Sequence, residues 1–148
     1  MSTLFAFLHH LAAFMLVSAI AVEAAFLREE ITVRVARRLQ IADRILGIAA
    51  GAVLVIGLLR VFYFEKGAAY YFSSHAFLTK FSVFILLSIL SIVPTVEFLR
   101  WSKAIKAGQT PVIADKRLRL VRTIVRAEMI GVVLILLCAA IMARGGFV

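Results

Sequence analysis

Eight ionisable side chains interrupt long apolar runs in this sequence: His9, His10, Glu23, Arg60, His75, Lys80, Glu97 and Glu128. Ionisable groups are costly in hydrocarbon, so each is a functional candidate by default. Imidazole in a helical bundle is an axial ligand for haem iron, and bundle cores host such cofactors. His9 is therefore read as a metal ligand, and His9, His10, Arg60, Lys80 and Tyr63 as a haem b-binding set in which the cations neutralise propionates. Adjacent helical residues point about 100° apart, so His9 and His10 cannot ligate one iron from the same side. His75 is the weaker candidate for a second axial position. Lys80 and Glu23 are the catalytic candidates. Glu23 lies about 40° from His9 around a helix, which puts His9, Ala12, Ala13, Leu16, Ile20 and Glu23 on one face and makes Glu23 a candidate for a proton path.

A second polar stripe runs through Lys80, Ser88, Ser91 and Thr95. Lipid offers Lys80 no partner, so this stripe is expected to face the bundle interior. Pro94 removes the donor to the Leu90 carbonyl and is expected to kink its helix. Gly47-Ile48-Ala49-Ala50-Gly51 has the small-xxx-small spacing that lets helices approach closely. Glu97 with Arg100, and Glu128 with Arg126, are close enough in sequence to pair locally. Tyr63, Tyr70 and Tyr71 suit an interfacial aromatic belt. Cys138, the single cysteine, reads as a small hydrophobe and excludes an internal disulfide framework. No phosphate-binding glycine loop, nucleophile elbow or HExxH sequence occurs.

The elements that must position these residues follow from composition. The 148 residues are 64% hydrophobic, with a mean hydropathy of +1.04, yet carry 17 Lys+Arg against 8 Asp+Glu. A soluble domain of this size cannot bury that much apolar surface. No basic, Gly- or aromatic-rich soluble module remains outside the apolar runs, which argues against nucleic-acid binding. Four segments reach the ~20 residues needed to cross a bilayer: about 4–27, 45–64, 76–99 and 127–143. Uninterrupted runs of this kind fit only helices. The expected fold is an all-α, single-domain, integral membrane four-helix bundle. Its first span lacks a basic n-region and is too long for a cleavable signal peptide.

Charge sets the expected direction. Residues 28–44 hold five Lys/Arg and residues 100–126 hold eight, against Arg60, Lys66, Lys80 and Arg144 at the other side. The positive-inside rule then places both basic loops in the cytoplasm and both termini on the outer, periplasmic side, near anionic lipid at the cytoplasmic face. Ile31, Val35, Leu39 and Ala42 recur at helical spacing, which predicts short interfacial helices in these loops. Pro111 can open a second helix that feeds through Asp115 and Arg122 into the fourth span.

Three strings give the chain a resemblance: Leu8-His9-His10-Leu11-Ala12-Ala13-Phe14, Arg60-Val61-Phe62-Tyr63-Phe64-Glu65-Lys66-Gly67 and Pro94-Thr95-Val96-Glu97-Phe98-Leu99-Arg100-Trp101. Over nearly its whole length it resembles a bacterial family of predicted inner-membrane proteins of unknown function. More distantly, the Leu-His opening of the first span and Lys80 early in the third resemble the group containing the copper-resistance D proteins and the small membrane protoporphyrinogen oxidase. The oxidase's haem-dependent site uses a first-span histidine and a later-span lysine, which His9 and Lys80 match. Its later spans carry another histidine, where this chain reads Ile89-Leu90-Ser91-Ile92-Val93-Pro94. The resemblance implies a membrane oxidoreductase acting on a lipid-soluble substrate such as a porphyrinogen or quinol. The alternatives are a small oligomeric metal or ion permease component using His9, His10 and His75, or a structural accessory subunit of a larger membrane complex.

Overall fold

The structure, a computed structural model, describes residues 2–64 and 67–144. Glu65 and Lys66 of the second string lie outside the described residues. Helices make up nearly everything else, and no strand occurs among the described residues. Helix α1 spans Ser2–Phe26 and α2 Val33–Leu59, the latter continuing into a π-turn at Arg60–Phe64. The short α3, Ala68–Ser73, is followed by α4 at His75–Leu90, α5 at Ile92–Arg100 and α6 at Ser102–Lys106. The chain closes with α7, Asp115–Ala143. Among the described residues, four units are long and apolar enough to cross a membrane: Thr3–Phe26, Val33–Tyr63, His75–Lys106 and Asp115–Ala143.

The structure corrects the expectation of separate interfacial helices in the first basic loop. Thr32 caps α2, its hydroxyl accepting from the Val35 amide, and the helix then runs without a break from the basic stretch into the apolar span. Val35, Leu39 and Ala42 do share a buried face, as their spacing predicts, but they pack on the bundle rather than on lipid headgroups. A helix that can bury its apolar stripe against protein has no need of the interface. Similarly, α7 starts at Asp115, upstream of the apolar run, with Pro111 buried four residues before it. Only the five-residue α6 is a short separate helix at this end.

Helix α1 packs chiefly on α2, and α4 on α7, while α1 also meets α7 and α5 meets both α2 and α7. Packing is uneven along the bundle. At the end carrying the arginine-rich segments, Leu27, Leu39, Phe98, Val121 and Val125 are fully buried, and Trp101 lies edge-on against Phe98. Polar clamps close this end. Arg122 Nε donates to the Leu27 carbonyl at 2.7 Å, satisfying an acceptor left over where α1 stops. Gln40 Nε2 donates to the Phe98 carbonyl and, at 2.9 Å, to Ser102 Oγ. Arg117 lies 3.0 Å from Glu97, Arg100 lies 3.9 Å from it, and Trp101 Nε1 donates to it at 3.3 Å. The local Glu97–Arg100 pairing thus forms, with Arg117 as a closer partner. Phe7, Phe14, Ile48, Ile130 and Val133 point outward, as lipid-facing side chains must.

Two backbone irregularities shape the opposite half. The third span breaks between α4 and α5 at Ser91, three residues before Pro94, so the expected interruption is present. The π-turn at Arg60–Phe64 ends α2 and turns Val61 inward while Phe62 and Tyr63 face out. Such turns often sit at functional sites, since one extra residue per turn re-aims the side chains that follow. Gly47 and Gly51 are exposed, with nothing within 4 Å of where a Cβ would stand, so the small-xxx-small reading fails within this bundle. Close approach occurs at Gly57, against His9, and at Gly131, against Leu87.

Candidate functional site

The loosely packed half contains an open cavity of about 540 Å³. That lies within the ~300–1,000 Å³ of small-molecule sites. Its lining comes from every span: His9, His10 and Ala13 from α1, Val53, Gly57 and Arg60 from α2 and the π-turn, Lys80, Phe81 and Phe84 from α4, and Ile135, Ala139 and Met142 from α7. Tyr70, Tyr71 and Ser74 close it from α3 and the turn that follows. Gly67 precedes α3 with φ +86°, a conformation that favours glycine, and so directs this short helix across the opening.

His9 is the chemical centre of this cavity. The Val53 carbonyl faces its ring, with Arg60, Lys80 and His10 as the charged or ionisable neighbours. Its Nδ1 is buried without a hydrogen-bond partner. A Cβ at position 57 would stand 3.2 Å from its Cε1 and 3.6 Å from Nδ1, so Gly57 is the cradle in which the imidazole lies. A neutral imidazole has one donor nitrogen and one lone pair. A backbone carbonyl beside the ring is the kind of partner that orients metal-bound histidines.

Lys80 lines the same cavity, with Nζ 5.9 Å from the centroid of the Phe77 ring. Phe77 stacks on Phe81 at 5.9 Å and touches Tyr71 at 5.4 Å, which builds an aromatic wall beside the two cations. His10 reaches the cavity edge but is exposed, and its Nδ1 meets the Ala6 carbonyl at 2.6 Å.

Three sequence expectations need correction. Tyr63 is 76% exposed and does not line the cavity. The π-turn swings it outward, and Tyr70 and Tyr71, which the sequence suggested only as a belt, take its place. His75 begins α4 on the exposed surface and does not join His9, so the histidines do not converge. Among the described residues, no group of three His, Cys, Asp or Glu has the geometry to hold a metal ion. Glu23 does share the buried face of His9, as helical phase predicted, but it sits fourteen residues on, about 21 Å along the axis, outside the cavity.

Glu23 belongs to a second polar constellation that includes a residue missed in the sequence. It faces Asp43 of α2 and Glu128 of α7. Thr95 Oγ1 donates to Asp43 Oδ1 at 2.7 Å, and Ser91 is the hydroxyl neighbour of Glu128. Among the described residues Glu128 makes no ion pair with Arg126, against the local pairing expected for it. Asp43 lies amid the arginines of residues 28–44, where its charge pattern conceals it; because α2 starts at Val33, Leu39, Asp43 and Leu46 fall on one inward face.

A family model described as "Predicted membrane protein (DUF2214)" matches residues 1–146. The chain belongs to this family. Four apolar helices over the matched length agree with that description, which carries no activity. No curated protein and no solved structure is matched. For this DUF2214 protein, the chemistry must be read from the cavity and the carboxyl cluster themselves.

Proposed function

We propose that this protein is a membrane-embedded b-type haem protein, with His9 as the axial ligand and Lys80 and Arg60 as partners for the propionates. One observation carries the reading: His9, lying against Gly57, lines a cavity that also presents two cations and an aromatic wall. These residues fit the group through a single protein ligand. Bound haem would supply one-electron chemistry toward a lipid-soluble substrate such as a quinol or porphyrinogen, and the chain's own residues would bind and orient it. The distant likeness to the copper-resistance D and membrane protoporphyrinogen oxidase group, carried by His9 and Lys80, supports the same assignment.

Protein expressed with ample haem and purified in detergent is expected to show a Soret band saturating at about one haem per chain. His10→Ala and His75→Ala should retain it. A colourless preparation that also fails to take up added haem would refute the assignment.

The haem site is proposed to face the outer side of a bacterial inner membrane, with the arginine-rich end in the cytoplasm. A Cys138→Ala background carrying Tyr63→Cys should react with an impermeant maleimide in intact spheroplasts. Gln109→Cys, in the loop before α7, should react only after permeabilisation. The opposite pattern would invert the topology.

A further inference from the structure

The carboxyl constellation between the cavity and the arginine-rich end has a chemistry of its own. Three acids from three helices meet there: Glu23 is 0% exposed, Glu128 2% and Asp43 7%. Among the described residues, no Lys, Arg or His makes an ion pair with any of them. Both oxygens of Glu23, and Oε2 of Glu128, are buried without a hydrogen-bond partner. Burying three like charges together without a counter-charge would cost many kcal/mol, far beyond what two hydroxyls can offset. Such a group persists only if it takes up a positive species.

The donors are distributed unequally. Asp43 accepts from Thr95, and Ser91 neighbours Glu128, so each has a hydroxyl near it to hold an ionised oxygen. Glu23 has none, and both of its oxygens are buried among acids. The metal alternative lacks the required ligand geometry among the described residues. A proton needs no coordination shell, only an oxygen to sit on and a neighbouring acceptor to share it with. A carboxyl that gains a proton becomes a donor, and Asp43 and Glu128 are the neighbouring carboxylates able to accept from Glu23.

We propose that Glu23, Asp43 and Glu128 form a proton-binding site inside the bundle, in which Glu23 carries the proton and the Ser91 and Thr95 hydroxyls hold its two neighbours. The break at Ser91 serves this site, since it places both hydroxyls toward α2 and α7. The same side of the third span carries Lys80 at the cavity, eleven residues before Ser91 and about 16 Å along the axis. Proton uptake here is simple protonation of a carboxylate and needs no other reactant. It stands whatever occupies the cavity.

Infrared spectra of the purified protein in ester-free detergent test it. At neutral pH a protonated-carboxyl C=O band is expected, shifting in heavy water. Glu23→Gln should remove part or all of it, with Asp43→Asn or Glu128→Gln altering what remains, because the three titrate as one system. Absence of the band from the unsubstituted protein at neutral pH overturns the proposal without any variant needing to fold. So does a band unchanged in all three variants. Loss of the band on adding sodium or potassium at constant pH also overturns it, in favour of a cation site. The readout is independent of the Soret band, so failure of one assignment leaves the other intact.

Discussion

Replacing His9 by alanine is expected to weaken haem retention by at least about 100-fold, and added imidazole should restore part of the Soret band. Removing a metal's outer-shell partner typically costs about 10–100-fold in affinity, and loss of His9, the proposed axial ligand, should cost at least as much. The alanine also leaves a hole of imidazole size beside Gly57, which is why exogenous imidazole should enter and substitute. A purely structural histidine would give no such rescue. Gly57→Val should act on the same ring from the other side. A Cβ there already meets Cε1 at 3.2 Å, and two more carbons would displace the imidazole from its cradle. The expected result is about a tenfold loss of affinity with folding retained. Lys80→Met should weaken binding by about 10–100-fold, the scale of one lost charge-assisted hydrogen bond, without changing the axial-ligand signature of the spectrum. Equal affinity in His9→Ala and unsubstituted protein would remove the haem assignment.

Gly131→Val is expected to destabilise the packing of α7 on α4. Helix α7 meets α4 there so closely that a Cβ at Gly131 would collide with the Leu87 side chain, including its Cγ. Without a hydrophobic driving force between helices in lipid, such close packing contributes much of what holds them together. Overpacking of this kind costs about 1–3 kcal/mol, read as a lowered melting temperature in detergent. Leu87→Ala alone leaves a void and is also destabilising, by about 2–5 kcal/mol. Combined, the two should be less harmful than their sum, because the valine fills the space the leucine leaves. Simple additivity would show that α4 and α7 do not meet at this pair.

The sequence by itself determined more of this protein than its lack of catalytic motifs suggests. Apolar runs of bilayer length allow only helices, and that fixes four membrane-length units before any packing is known. Helical phase placed His9, Leu16, Ile20 and Glu23 on one inward face, and Lys80, Ser91 and Thr95 on another, because a 3.6-residue period is a local property of the chain. Tertiary structure decided whatever depended on where a helix begins, where its period slips and what lies opposite. Starting α2 at Val33 turned Asp43 from a loop residue into a buried partner of Glu23, an effect of packing that its local charge pattern concealed. The π-turn after Leu59 broke the phase and exchanged Tyr63 for Tyr70 and Tyr71 at the cavity. Which glycines permit close approach also depended on the neighbour across the interface: Gly47 and Gly51 have the spacing, but Gly57 and Gly131 have the partners. Each residue's face is set by its own backbone, whereas its companions are set by the other three spans.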